Sequence, residues 1–306
     1  MADLENVARQ IQIDLLAEAC CSALREARIG HILLKGPTTA RWLYDPPRTY
    51  VDVDLLIEPG RMGHAAVTVE AAGLGSELHE RPGEEASHSH VLLSRLGVEI
   101  DLHLTLPMVN VGQSREVWRA LQPHVVNFKL VDEDVPALDV PARCLVLALH
   151  CLASGAETPK VVEDLRRARD RAERTDWEDA ETIAEAIGLN GYLNAAFALL
   201  DGTIPEVLSL LPLDVRLRLV GAPGSSFQLA RLRELPTRLV PAALWREAFP
   251  SRGFMQRQQP DLVRERLGLA RAYARRLRFL ALQLPEAVRA MRAVERHGGH
   301  GDNVRP

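Results

Sequence analysis

Apolar positions recur at two different spacings in this chain, and the change between them divides it. Over residues 3–28 they return every three or four positions, with Val7, Ile11, Leu15, Leu16 and Ala19 marking a helical stripe behind a candidate cap at Asp3. HILL (31–34) then reads as a short strand broken at Lys35-Gly36-Pro37, and Pro37 suits the first turn of a short helix reaching Tyr44. DPPRT (45–49) is a loop, and VDVDLLI (51–57) is the clearest strand of the protein. EPGRM punctuates it, a helix follows over His64–Ala72, and ERPGEEAS (80–87) reads as a mobile acidic loop. SHVLLSR (89–95) and VEIDLHL (98–104) form two more strands around a turn at Leu96-Gly97. This part is mixed α/β, with a small sheet of roughly four strands.

From about Pro141 the period becomes helical throughout. ARCLVLALHCLA, KVVEDLRRARDRAER, WEDAETIAEAIG and LNGYLNAAFALLDG follow one another with short connections. APGSS (222–226) reads as a turn or linker, and PDLVRERLGLARAYARRLRFLAL and LPEAVRAMRAVER as further helices. The expected organisation is therefore an α/β domain over 1–135, a helical domain over 136–296 and a disordered tail over 297–306.

Composition narrows the setting. With 306 residues, 47% of them hydrophobic, the chain can bury a substantial core, and with only 5% aromatics that core is mainly aliphatic. No apolar run approaches membrane-spanning length and MADLENVARQ lacks the features of a signal peptide, so a soluble cytoplasmic protein without membrane contact is expected. Cys20, Cys21, Cys144 and Cys151 form no CxxC pair, which argues against a disulfide scaffold and structural zinc. The net charge of −4 is uneven: from Leu211 onward eighteen arginines face eight acids, a local +10 that leaves −14 for the rest. Most of these arginines fall in helical pattern among leucines and alanines, the mark of solvated faces, so nucleic acid is a conceivable partner but not the favoured one. Only three lysines occur, Lys35, Lys129 and Lys160, which hints that a point-like ammonium is wanted at those places.

The chemistry starts at VDVDLLI. Residues two apart on a strand share a face, so Asp52 and Asp54 project together while Val51, Val53 and Leu55 face the other way. VEIDLHL sets a third carboxylate, Asp101, between aliphatics on a neighbouring strand. Three carboxylates that converge raise one another's pKa unless a cation neutralises them, and Mg²⁺ or Mn²⁺ prefers such oxygen ligands and bridges them to substrate phosphates. A DxD pair alone more often lines a solvated sheet face; the third aspartate and the preceding turn add weight. HILLKGPTT leads from strand to helix, where backbone N–H groups and Lys35 can meet a phosphate, although the same turn is also an ordinary connection. Arg48 can reach a phosphate or pair with Asp45 or Asp54.

LLKGPTTARWLYDPPRTYVDVDLLI followed by VEIDLHL resembles the uncharacterised nucleotidyltransferase family of the DNA polymerase β-like superfamily. The likeness continues through LALHCLASGAETPKVVEDLRRA and into TDWEDAETIAEAIGL, nearly two thirds of the chain. It implies a minimal nucleotidyltransferase fold, α+β, with the paired aspartates on one strand, the third on the next, and an all-helical region behind. It implies NTP and a divalent metal, with Asp52 and Asp54 as metal ligands. Asp101 would complete the site and help deprotonate the attacking hydroxyl, and Gly36 would sit at the phosphate-binding turn. The superfamily usually has Gly-Ser there; this chain has Lys35-Gly36, so Lys35 or Thr38 would have to remake the phosphate contact.

Other candidates are weaker. His103 shares a face with Asp101 by parity and can line the cleft as a donor or proton shuttle. His88 and His90 share a face, without further ligands at zinc spacing. Lys160 and Asp164 are i, i+4 neighbours that suit a surface ion pair, while the resemblance over KVVEDL suggests that Lys160 reaches the triphosphate. His150, set among aliphatics, reads as a core histidine. The expected activity is transfer of an NMP group, AMP from ATP, to a small molecule, peptide or protein with release of pyrophosphate. The alternatives are phosphoryl transfer at the same metal site and a non-catalytic nucleotide-binding scaffold.

Overall fold

The computed structural model describes residues 2–77, 89–155, 158–203, 211–222, 224–234, 237–250, 252, 255 and 268–298. Its centre is a seven-stranded mixed sheet. The strands are β1 (His31–Leu33), β2 (Asp52–Ile57), β3 (Ser76–Glu77), β4 (Ser89–Leu93), β5 (Glu99–His103), β6 (Val125–Lys129) and β7 (Asp134–Leu138), in the order β3-β4-β5-β2-β1-β7-β6. β2 runs parallel to β5 and antiparallel to β1, while β1 runs parallel to β7. The α+β reading holds, and the sheet is larger than expected. Its additional members lie at the two ends of the strand order: the two-residue β3, and the β6–β7 hairpin in a stretch whose pattern predicts no element. β6 is mostly exposed and β7 carries Pro136, and both features erase the usual signature of a strand.

Helix α1 (Ala2–Glu26) and helix α3 (Met62–Ala71) cover one face of the sheet. Alternation sends Val53, Leu55 and Ile57 of β2 and Ile100 and Leu102 of β5 toward that core. The carboxylates of the same strands must then point to the other face. That face is approached by α2 (Pro37–Leu43), α5 (Val140–Ser154, capped by Asp139) and α6 (Pro159–Arg171), joined with α7 (Arg174–Ala186) through a cluster of Leu43, Leu147, Ala168 and Trp177. α4 (Ser114–Leu121) and α8 (Tyr192–Asp201) complete the helices around the sheet.

α1 docks on a different stripe from the expected one. Of the expected positions Val7, Ile11 and Leu15 are exposed and Leu16 is buried, while Ile13, Ala17, Cys20, Cys21 and Leu24 form the rest of the buried stripe, and Asp3 lies inside the helix rather than at its cap. The helix carries two apolar stripes, and polar side chains select between them. Gln10 exchanges two hydrogen bonds with the backbone of Tyr50, 2.8 and 3.0 Å. Asp14 accepts from the Tyr50 hydroxyl and from Arg41 at 2.7 Å. Glu18 accepts from the backbone N–H groups of Val131, Asp132 and Glu133 at 2.9–3.0 Å. These residues recur every four positions, so one helix face fixes both the segment entering β2 and the turn between β6 and β7.

The described residues up to Leu200 form one compact unit and those from Asp201 another, so the expected division at 135/136 falls inside the first unit. In the second, α9 (Leu213–Leu219), α10 (Gly224–Glu234), α11 (Val240–Ala248) and α12 (Gly268–Gly298) are helical, with Leu217, Ala230, Met291 and Val294 at a small core. α10 begins within the expected linker, and α12 runs through Pro285 as a single helix. The expected loop at 80–87, His88 and the tail from 299 lie outside the described residues. Among the described residues no helix is long and apolar enough to cross a membrane.

The choice of stripe is testable by denaturant unfolding. Ile13→Ala, at a site with no exposure, should cost about 2–5 kcal/mol. Ile11→Ala, at a site 50% exposed, should stay within about 0.5 kcal/mol.

Candidate functional site

The register of the two central parallel strands builds the site. Asp54 lies directly beside Asp101, Asp52 beside Glu99, and Leu56 beside His103. Asp54 and Asp101 therefore share a face at adjacent positions, with His103 two residues further along β5. The β1–β2 pairing brings the end of β1 to the same place: Leu34 N–H donates to the Asp54 carbonyl at 3.0 Å, and the chain then turns at Lys35-Gly36. Gly36 adopts φ +72°, a left-handed conformation that favours glycine, and a Cβ there would meet the Tyr50 ring at 3.4 Å. This turn throws the Lys35 side chain back over β2.

Asp54 is only 4% exposed, and two groups compensate it on one oxygen. Lys35 Nζ lies 3.2 Å from Asp54 Oδ1, and His103 Nε2 donates to the same atom at 2.8 Å. Burial alone would raise the pKa of this carboxyl, but the lysine charge and the histidine hydrogen bond outweigh it and hold the group well below the usual carboxylate range. Asp52 goes the other way: burial and the charge of Asp54 raise it, against the pull of Lys35 and Lys160. His103 Nε2 also lies 3.4 Å from Asp101 Oδ2. Asp101 Oδ1 is buried without a hydrogen-bond partner among the described residues.

One ligand atom each from Asp54, Asp101 and His103 lies within 4.8 Å of the other two. The orphaned oxygen of Asp101 and the oxygen-rich donor set fit a hard divalent cation. Asp52 stands on the same face but outside that tight group. Of the expected phosphate contacts, Lys35 reaches the site through Asp54. Thr38 is fully buried and its hydroxyl approaches the Lys35 carbonyl at 3.5 Å. Arg48 pairs with neither Asp45 nor Asp54. It forks onto Asp164 of α6, Nε to Oδ1 at 2.8 Å and Nη2 to Oδ2 at 2.5 Å, and the Tyr44 hydroxyl donates to Oδ1 at 2.6 Å. Asp164 is thus a buried anchor, 3% exposed, rather than half of a surface pair with Lys160.

His150 was legible only as a core residue, because its sequence neighbours in α5 are aliphatic. The charges that act on it are nonetheless those of Lys35, Asp54, Asp164 and His103. Burial foremost, with the lysine charge adding, lowers its pKa to about 4. A periodicity argument could have found it: α5 follows the sheet and must cover the face that α1 and α3 leave open.

The family model for uncharacterised nucleotidyltransferases matches residues 2–203. No curated protein matches this sequence. Among solved structures, the chain is similar to the antibiotic-resistance factor ANT(2'')-Ia in solution, with 16% identity and a TM-score of 0.39 over 61% of this chain and 94% of that one. It is also similar to an antigenic nucleotidyltransferase-like protein from Paracoccidioides brasiliensis, with 13% identity and a TM-score of 0.38 over 65% of this chain and 95% of that one.

The depressed His150 pKa has a measurable consequence. An unfolded chain takes up a proton on this imidazole as pH falls below about 6.5, whereas the folded protein does so only near 4. Its contribution is complete above about pH 6.5 and is lost as pH falls through about 4, on the order of 3 kcal/mol. Urea unfolding across that window should show a flatter pH dependence for His150→Gln than for the wild type; parallel curves would refute the placement.

Proposed function

Because this chain belongs to the uncharacterised nucleotidyltransferase family, we propose that it transfers an NMP group, AMP from ATP, to a hydroxyl-bearing acceptor in the cytoplasm. The observation that carries this reading is the pair Asp54 and Asp101, in register on adjacent parallel strands, with their oxygens converging and one left unpartnered.

The acceptor hydroxyl attacks the α-phosphorus of the nucleotide; the new O–P bond forms as the α–β bridge breaks and pyrophosphate departs. Asp101, the more exposed of the two, takes the hydroxyl proton. Asp54 stays ionised beside His103, which orients it, and Asp52 adds a further oxygen donor at the edge of the site. Asp52, Asp54 and Asp101 would hold Mg²⁺ or Mn²⁺, which when bound would neutralise phosphate charge. Lys35 supplies a fixed positive charge at the phosphates, and Gly36 permits the turn that aims it. The acceptor is a small molecule, peptide or protein rather than nucleic acid.

The test uses ATP labelled at the α- or γ-phosphate, Mn²⁺ and host-cell extract. The reading expects α-label on an acceptor with release of pyrophosphate, and a fall of at least about 100-fold in Asp54→Asn and Asp101→Asn. Transfer of γ-label instead would establish phosphoryl transfer at this site. Nucleotide binding without transfer to any acceptor would favour a scaffold.

A further inference from the structure

A second carboxylate as enclosed as Asp54 is not on the sheet. Asp164 lies on α6, 3% exposed, and both of its oxygens are engaged by residues of the segment leading from α2 to β2. Arg48 gives three of its five N–H groups to fixed acceptors, two to Asp164 and one to the Thr49 carbonyl at 3.0 Å, which leaves two for another anion. Arg48 and Arg167 both lie against the Tyr44 ring, at 5.6 and 4.3 Å from its centre, so the clamp is braced by stacking as well as by charge. Lys160 stands one helical turn before Asp164 and is therefore on the same side of α6. It is exposed, and its charge reaches Asp52.

We propose that Asp164 is a positioning residue for the polyphosphate of the donor nucleotide, holding Arg48 away from Asp52 and presenting Lys160 beside it. This rests on the nucleotidyltransferase reading of the carboxylate site. Arg48 is four residues from Asp52, and without the buried fork its guanidinium is free to collapse onto the β2 carboxylates. Lys35 and Arg48 are each held by a buried carboxylate, Asp54 and Asp164, and Lys160 rides on the same side of α6 as Asp164. Three cations carried by the segments around the carboxylates suit a ligand with several negative charges. The donor's β- and γ-phosphates are such a ligand; a nucleoside monophosphate lacks them.

Equilibrium binding of ATP, ADP and AMP with Mg²⁺, alongside Mn²⁺ binding without nucleotide, separates the outcomes. In Asp164→Asn, ATP and ADP should bind about ten- to a hundredfold more weakly, with AMP and Mn²⁺ unchanged. Adding Lys160→Gln should then cost less than it does in the wild type, because the two act together. Tyr44→Phe, which removes one bond to Asp164 and keeps the ring, should show a smaller loss of the same selectivity and serves if Asp164→Asn does not fold. Equal losses for ATP, ADP and AMP, or no loss at all, would overturn the inference while leaving the metal site standing. A wild-type protein that binds Mn²⁺ but none of the nucleotides would remove the underlying reading, and this one with it.

Discussion

The first unit is organised around one carboxylate. Asp54 sits at the centre of the sheet with almost no solvent, and an ionised group there is tolerated only because Lys35 and His103 meet the same oxygen. Each partner arrives from a different strand. Lys35 requires β1 to end beside β2 and turn through a left-handed glycine, and His103 requires β5 to lie parallel to β2 in one register. A shift of that register by a single residue would send His103 and Asp101 into the aliphatic core under α1 and α3. The polar pairing and the hydrophobic alternation thus demand the same arrangement.

Around this centre the chain repeats one device, a buried carboxylate that gathers donors from a distant segment. Asp14 collects Tyr50 and Arg41, Glu18 collects three backbone N–H groups, and Asp164 collects Arg48 and Tyr44. Three of these contacts converge on the segment between α2 and β2, which α1 holds from one side of the sheet and α6 from the other. That segment leads directly into Asp52. The loop entering the site is therefore tied down on both sides.

The strands that carry the site were legible because they are short aliphatic runs bounded by turn residues, with alternation in Asp52–Leu55 and in β5: β1, β2, β4 and β5 stand close to where the pattern places them. Parity placed Asp52 with Asp54 and Asp101 with His103; that both pairs share one face comes from the β2–β5 register, which no local pattern fixes. What the sequence hid was partnership across distance. Arg48 and Asp164 are 116 positions apart, and no local pattern chooses Asp164 over the nearer Asp45 or Asp54. α1 misled for a related reason: two apolar stripes compete, and the polar contacts that select one are made with residues 50 and 131–133. β6 and β7 were missed because an exposed outer strand and a proline remove the periodic signal.

The central claim is that Asp54 and Asp101, with Asp52 at the edge and His103 hydrogen-bonded beside them, hold a divalent cation. NMR of ¹⁵N-histidine-labelled protein titrated with Mn²⁺ tests it most directly, since a paramagnetic ion broadens nearby ring signals. The account predicts that substoichiometric Mn²⁺ selectively broadens His103, with His150 next, and that Asp101→Asn abolishes the effect. Broadening spread evenly over the histidines, or unchanged in Asp101→Asn, would contradict it.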